Sequence, residues 1–110
     1  MKGYLATWEI TDRTVWVADS FEGLPVPSVK EDMGYDFSAS KQPILAIPLE
    51  EVQENFRRYN LLDDQVKFLK GWFCDTLPTA PIGSLALLRM DGDLYESTMD
   101  SLNGCMTKYL

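Results

Sequence analysis

The most constraining stretch of this chain is Ser84-Leu-Ala-Leu-Leu-Arg-Met90, a nearly unbroken apolar run that stops abruptly at Asp91-Gly92-Asp93. A short apolar run of this kind suits a strand buried on both faces, as parallel sheets require. Two carboxylates then stand where the strand ends. In open α/β sheets the ligand crevice lies outside the carboxyl ends of the strands, so chemistry is expected at this point. Gly92 allows a tight turn between the two acids. Asp91 or Asp93 also serves as a natural cap for the helix that follows, but a helix end has a single N-cap position, so both acids are not accounted for in that way.

Two further strands are expected. Thr14-Val15-Trp16-Val17-Ala18 is β-branched, aromatic and apolar, and it runs into Asp19-Ser20-Phe21-Glu22-Gly23-Leu24-Pro25. An acid at such a strand end can accept hydrogen bonds from ribose hydroxyls, and an Asp can equally open a turn. Val66-Lys67-Phe68-Leu69 reads as the next strand and ends at Gly71-Trp72-Phe73, which either presents a flat surface to an adenine ring or fills the core. Between the two lie a long loop, about 26–48, and a helix. The loop carries Pro27, Gly34, Pro43 and Pro48 without a sustained period and is read as a flap over the crevice or as disorder, with at most one helical turn. The helix starts after Pro48 with Glu50 and Glu51, continues through Val52, Phe56 and Tyr59, and ends near Arg57 and Arg58. Strand, helix and strand in this order outline a right-handed βαβ crossover.

Met1 to Glu9 places Tyr4, Leu5 and Trp8 at the spacing of an amphipathic helix end. At the other end, Tyr95, Met99, Leu102, Met106 and Tyr109 form a stripe expected to pack on the sheet, with Gly104 a weak point. The expected architecture is therefore α/β: three parallel strands of a doubly wound sheet in a single partial domain, 1–110. Three strands leave edges uncovered, which makes association with another copy a reasonable expectation.

Composition removes whole classes of chemistry. The 110 residues contain no histidine, so a Ser-His-Asp triad, a Cys-His pair and a histidine-ligated zinc are all impossible within this sequence. Acid–base work falls to Asp, Glu, Lys, Tyr or Cys. Cys74 and Cys105 lack CxxC spacing and read as reduced thiols. A net charge of −7 with no basic stripe argues against a nucleic-acid partner. No apolar run approaches the ~20 residues that span a bilayer, which leaves no membrane partner and makes the cytoplasm the expected location.

Three motifs occur in order: Val15 to Pro25, then Gly71-Trp72-Phe73 with Asp75-Thr76-Leu77-Pro78, then Arg89-Met90-Asp91-Gly92-Asp93-Leu94-Tyr95-Glu96-Ser97-Thr98. Together they closely resemble the macrocin O-methyltransferase family, from about Gly3 to Leu110. The resemblance implies a Rossmann-like methyltransferase fold using S-adenosyl-L-methionine and a divalent cation, usually Mg2+. It also implies methyl transfer to a hydroxyl of a sugar or other natural product, a small-molecule acceptor. By the same resemblance Asp19 would bind the cofactor ribose, Ser20 and Phe21 would shape its pocket, and Gly71, Trp72 and Phe73 would lie beside the adenine. Asp91 would be a metal ligand and Asp93 the general base. The family's glycine-rich first strand and the later strand bearing two more acidic metal ligands are not in this sequence, so the isolated chain is expected to be inactive. The alternatives are a methyltransferase remnant acting as an assembly module and, since an apolar strand ending in Asp-x-Asp also resembles them, a haloacid-dehalogenase-type phosphatase with Asp91 as nucleophile.

Overall fold

The computed structural model describes residues 1–109, and side chains as far as Met106. Its elements are α1 (Lys2–Thr7), β1 (Val15–Asp19), α2 (Leu49–Arg58), β2 (Val66–Lys70), α3 (Phe73–Thr76) and α4 (Tyr95–Tyr109). Three single 3-10 turns at Lys30–Asp32, Pro43–Leu45 and Leu77–Thr79 fall between them.

β1 and β2 pair in parallel, from Val15 opposite Val66 to Asp19 opposite Lys70, with α2 in the connection, so the expected βαβ order holds. Alternate residues of a strand point to opposite faces. On one face Phe68 meets Phe56 of α2 edge-on at 5.8 Å and Phe21 at 6.3 Å. On the other, Ala18 and Leu69 pack against Leu77 and Cys105, together with Phe73, Ile82, Leu85 and Leu88. Helices thus cover both faces. α1 is tied to the start of β2 through Lys2, which is buried and whose ammonium donates to Asp63 at 2.7 Å and Gln65 at 2.6 Å. That contact holds the Asp63 carboxyl below its usual range, chiefly through the Lys2 hydrogen bond.

Two expectations are corrected. Residues 84–90 are not a third strand: among the described residues the sheet has two strands, and this segment carries no ladder. A strand exists only through a hydrogen-bonded neighbour, and no described strand lies alongside this segment. Leu85 and Leu88 still pack into the core, but Leu87 is 67% exposed, so the run is covered on one side only.

The second correction concerns α4. Its buried line is Ser97, Ser101 and Cys105; of the expected stripe Tyr95 and Met106 are about half exposed, Met99 and Leu102 are half-buried, and the side chain of Tyr109 lies outside the described residues. Small residues win because the helix lies very close to the Leu77–Thr79 turn: a Cβ on Gly104 would sit 2.7 Å from Leu77 Cβ. Gly104 is therefore the point of closest approach, not a weakness, and larger side chains are turned away from the contact.

The loop 26–48 is folded and carries two 3-10 turns, Lys30–Asp32 and Pro43–Leu45, where at most one helical turn was expected. A bridge links Leu24 to Ser38, and the Asp36 carboxylate accepts the Ser38 amide at 3.1 Å and its hydroxyl at 2.6 Å. These bonds, the hydroxyl first, hold Asp36 below the usual carboxylate range.

Candidate functional site

A cavity of about 380 Å³ opens at the carboxyl ends of β1 and β2. That size falls within the ~300–1,000 Å³ of ordinary ligand pockets. Asp19, Ser20, Gly71, Trp72, Phe73, Asp91 and Asp93 all line it. Three separate sequence motifs therefore meet on one rim.

Parallel pairing explains the first junction. Asp19 closes β1 opposite the last residue of β2, and the Gly71 amide donates to the Asp19 carbonyl at 3.0 Å, carrying the ladder one step further. The Asp19 side chain is exposed, and its Oδ2 accepts the Phe21 amide at 2.9 Å, which leaves Oδ1 to meet a ligand. Ser20 is consumed by the turn itself: its hydroxyl donates to the Gly23 carbonyl at 2.6 Å and accepts the Glu22 amide at 3.1 Å. Phe21 does not line the cavity. It is 5% exposed and rests on Phe68. Its φ of +55° is costly for a bulky residue, and the aromatic packing holds it there.

Gly71 has φ +144°, and a Cβ on it would lie 2.8 Å from Thr76 Cγ2, so the position admits only glycine without rearrangement. The tight turn launches α3 at once. Of the two aromatics that follow, Phe73 is half-buried and packs on the Leu77–Cys105 core, whereas Trp72 is 37% exposed. The core-filling reading therefore holds for Phe73, while Trp72 keeps an exposed ring at the cavity.

On the opposite wall, Asp91 and Asp93 are both exposed. Arg89 donates to Asp91 Oδ2 at 2.7 Å, and Asp93 sits at φ +62°. Neither acid takes the first amides of α4. Those of Tyr95 and Glu96 go to Asp32, at 2.7 and 3.0 Å. The capping expectation for Asp91 or Asp93 is corrected accordingly. Nothing in the sequence marks Asp32, which stands near Gly34 as an ordinary turn residue.

The lining includes five acids, Asp19, Asp91, Asp93, Glu96 and Asp100, and no Lys or Arg. Burial pushes the Asp100 carboxyl above the usual range, aided by Glu96 and Asp75. Burial also raises the Cys74 thiol, with Asp75 and Asp100 adding to it. Such a cleft favours cationic or hydroxyl-bearing ligands and repels phosphates. Asp91 offers one hard oxygen ligand to a cation. Among the described residues no group of three or more His, Cys, Asp or Glu side chains is arranged to hold a metal. Magnesium commonly takes one or two carboxylates and keeps several waters; Asp91, with Oδ2 already on Arg89, would supply one oxygen to such a cation.

Parallel strands with helices on both faces and a cavity at their carboxyl ends define an α/β architecture. The solved structure titled "Structure of the O-methyltransferase NovP" superposes with a TM-score of 0.92 at 53% identity, over 99% of this chain and 46% of that one. The family model for Macrocin-O-methyltransferase (TylF) matches residues 1–109, and the chain belongs to that family. Similar curated proteins are demethyldecarbamoylnovobiocin O-methyltransferase of Streptomyces niveus, 56% identical over 98% of this chain, and mycinamicin III 3''-O-methyltransferase of Micromonospora griseorubida, 50% identical over 92%. The 8-demethyl-8-(2,3-dimethoxy-alpha-L-rhamnosyl)-tetracenomycin-C 4'-O-methyltransferase of Streptomyces olivaceus is 51% identical over 98% of this chain. The chain spans 41 to 42% of the length of these relatives. Among the described residues no helix is long and apolar enough to cross a membrane.

Proposed function

We propose that this chain is the cofactor-binding central part of an S-adenosyl-L-methionine-dependent O-methyltransferase that methylates a hydroxyl of a sugar or related natural product with help from Mg2+. The observation that carries this reading is the meeting of Asp19, the Gly71-Trp72-Phe73 turn and the Asp91-Gly92-Asp93 turn around one cavity, in a chain of this family. The relatives' names describe methyl transfer to such acceptors. A Rossmann-like, doubly wound sheet is the larger frame that β1 and β2 fit.

When bound, the sulfonium would supply an electrophilic methyl group and the cation would lower the pKa of the acceptor hydroxyl. The chain's own residues do the rest. Asp19 accepts ribose hydroxyls, and Trp72 offers a ring face beside the Gly71 backbone. The five acidic side chains of the cleft favour a cationic sulfonium over its neutral thioether product. Asp91 offers an oxygen to the cation. Asp93, exposed on the same wall, takes the proton from the acceptor hydroxyl as general base. With one metal-directed carboxylate and two paired strands, the 110-residue chain alone is proposed to be inactive.

Methyl transfer from S-adenosylmethionine by the full-length protein tests the assignment. Asp93→Asn is expected to lower kcat by about 10²-fold or more while leaving cofactor affinity unchanged, the usual scale for loss of a general base. Normal turnover by that variant removes Asp93 from the role.

A further inference from the structure

Every helix begins with amides that need acceptors, and the usual supplier is the residue just before the first turn. In α4 the supplier comes from 63 residues away. Asp32 is 3% exposed, and its two carboxylate oxygens accept separately from the Tyr95 amide at 2.7 Å and the Glu96 amide at 3.0 Å. A second clasp lies beside it, where the Ser28 hydroxyl donates to Glu96 Oε2 at 2.5 Å. Both tie the loop 26–48 to the first turn of α4, directly after Asp91-Gly92-Asp93.

We propose that Asp32 is a positioning residue of the methyl-transfer site: by capping α4 from the loop, it relieves Asp91 and Asp93 of that duty and fixes the turn that aims them into the cleft. The loop contributes wall as well, since Val26, Ser28 and Leu45 line the same cavity. A local cap would have drawn Asp93 back onto the helix amides, where two hydrogen bonds lower the basicity of a carboxylate and turn it away from a substrate hydroxyl. Supplying the cap from a distant segment resolves that conflict. It also means that the loop must dock before the acidic wall is correctly set.

This inference rests on the functional reading above, so the test keeps the two apart. In the full-length protein, hydrogen exchange at the Tyr95 and Glu96 amides and tryptic cleavage after Lys30 and Lys41 report the docking without any ligand. Turnover and S-adenosylmethionine affinity report the site. In Asp32→Ala both amides should exchange at least about tenfold faster, cleavage should accelerate, and kcat should fall about tenfold or more, since displacements of ~1 Å cost up to ~10²-fold. Asp32→Asn, which keeps one carbonyl acceptor, should recover most of kcat. If the alanine variant does not fold, the asparagine variant and Ser28→Ala carry the comparison, with smaller changes of the same sign. Unchanged amide exchange overturns the capping role. Faster exchange with unchanged kcat overturns the positioning role and leaves a purely structural cap. Absence of turnover in the wild-type protein defeats the functional reading, and the exchange experiment still decides the docking.

Discussion

Replacing Gly71 by alanine is the sharpest test of how the adenine side of the cleft is built. The residue is pinned from behind by the hydrogen bond its N–H donates to the Asp19 carbonyl at 3.0 Å, so its φ of +144° cannot relax freely. An L-residue in that region carries ~1–3 kcal/mol of strain. The new methyl also meets Thr76 Cγ2 at 2.8 Å. Thr76 can rotate away only by giving up its hydroxyl bond to the Trp72 carbonyl at 3.1 Å, a loss of ~0.5–1.5 kcal/mol. Against these stands a gain of ~0.4–1 kcal/mol from a stiffer unfolded chain. The balance is a destabilisation of about 2 kcal/mol, measurable by urea unfolding followed through tryptophan fluorescence. Adding Thr76→Ser removes the clashing methyl and keeps the hydroxyl, so the double variant should recover about 1 kcal/mol, a coupling of the size expected between touching residues. S-adenosylmethionine affinity should fall in Gly71→Ala, because Trp72 and Phe73 follow directly and move with it. A single variant within about 0.5 kcal/mol of wild type, or a cycle with no coupling, refutes this account.

Gly104→Ala should destabilise by about 1 kcal/mol: helix propensity favours alanine by ~1 kcal/mol, but overpacking against Leu77 costs ~1–3 kcal/mol. A rise in the unfolding midpoint would show that α4 and Leu77 are not in tight contact. The Cys74 thiol, raised by burial and then by Asp75 and Asp100, holds less thiolate at pH 8 than a free cysteine and should alkylate more slowly. Its rate should climb with pH, and Asp100→Asn should accelerate it by removing a negative neighbour. Equal rates in the two proteins would contradict the electrostatic contribution.

Much of the fold was legible because the relevant signals are local. β-branched and aromatic residues at Val15 to Val17 and at Val66 to Phe68 announce strands, and Pro48 with Glu50 and Glu51 starts a helix where one is found. The acids and the glycine at strand ends could be placed on one rim because parallel pairing aligns carboxyl ends. Three things were not legible. Ser84 to Met90 reads as a buried strand, yet pairing is a property of neighbours and not of the segment. The apolar stripe of α4 pointed to the wrong face, because Gly104 admits an approach so close that only small side chains fit along it. Asp32 looked like a loop residue, since nothing adjacent to it shows which helix it will cap.

By itself, then, the chain's order of residues determined which segments prefer to be extended or helical, which chemistries a histidine-free sequence can run, and which family it belongs to. Tertiary structure decided which carboxylates are spent on the backbone and which remain available to a ligand. The physical reason is that a hydrogen-bond acceptor is committed by whichever donors reach it, and the amides of Tyr95 and Glu96 reach across more than sixty positions to Asp32. That contact leaves Asp91 and Asp93 facing the cleft.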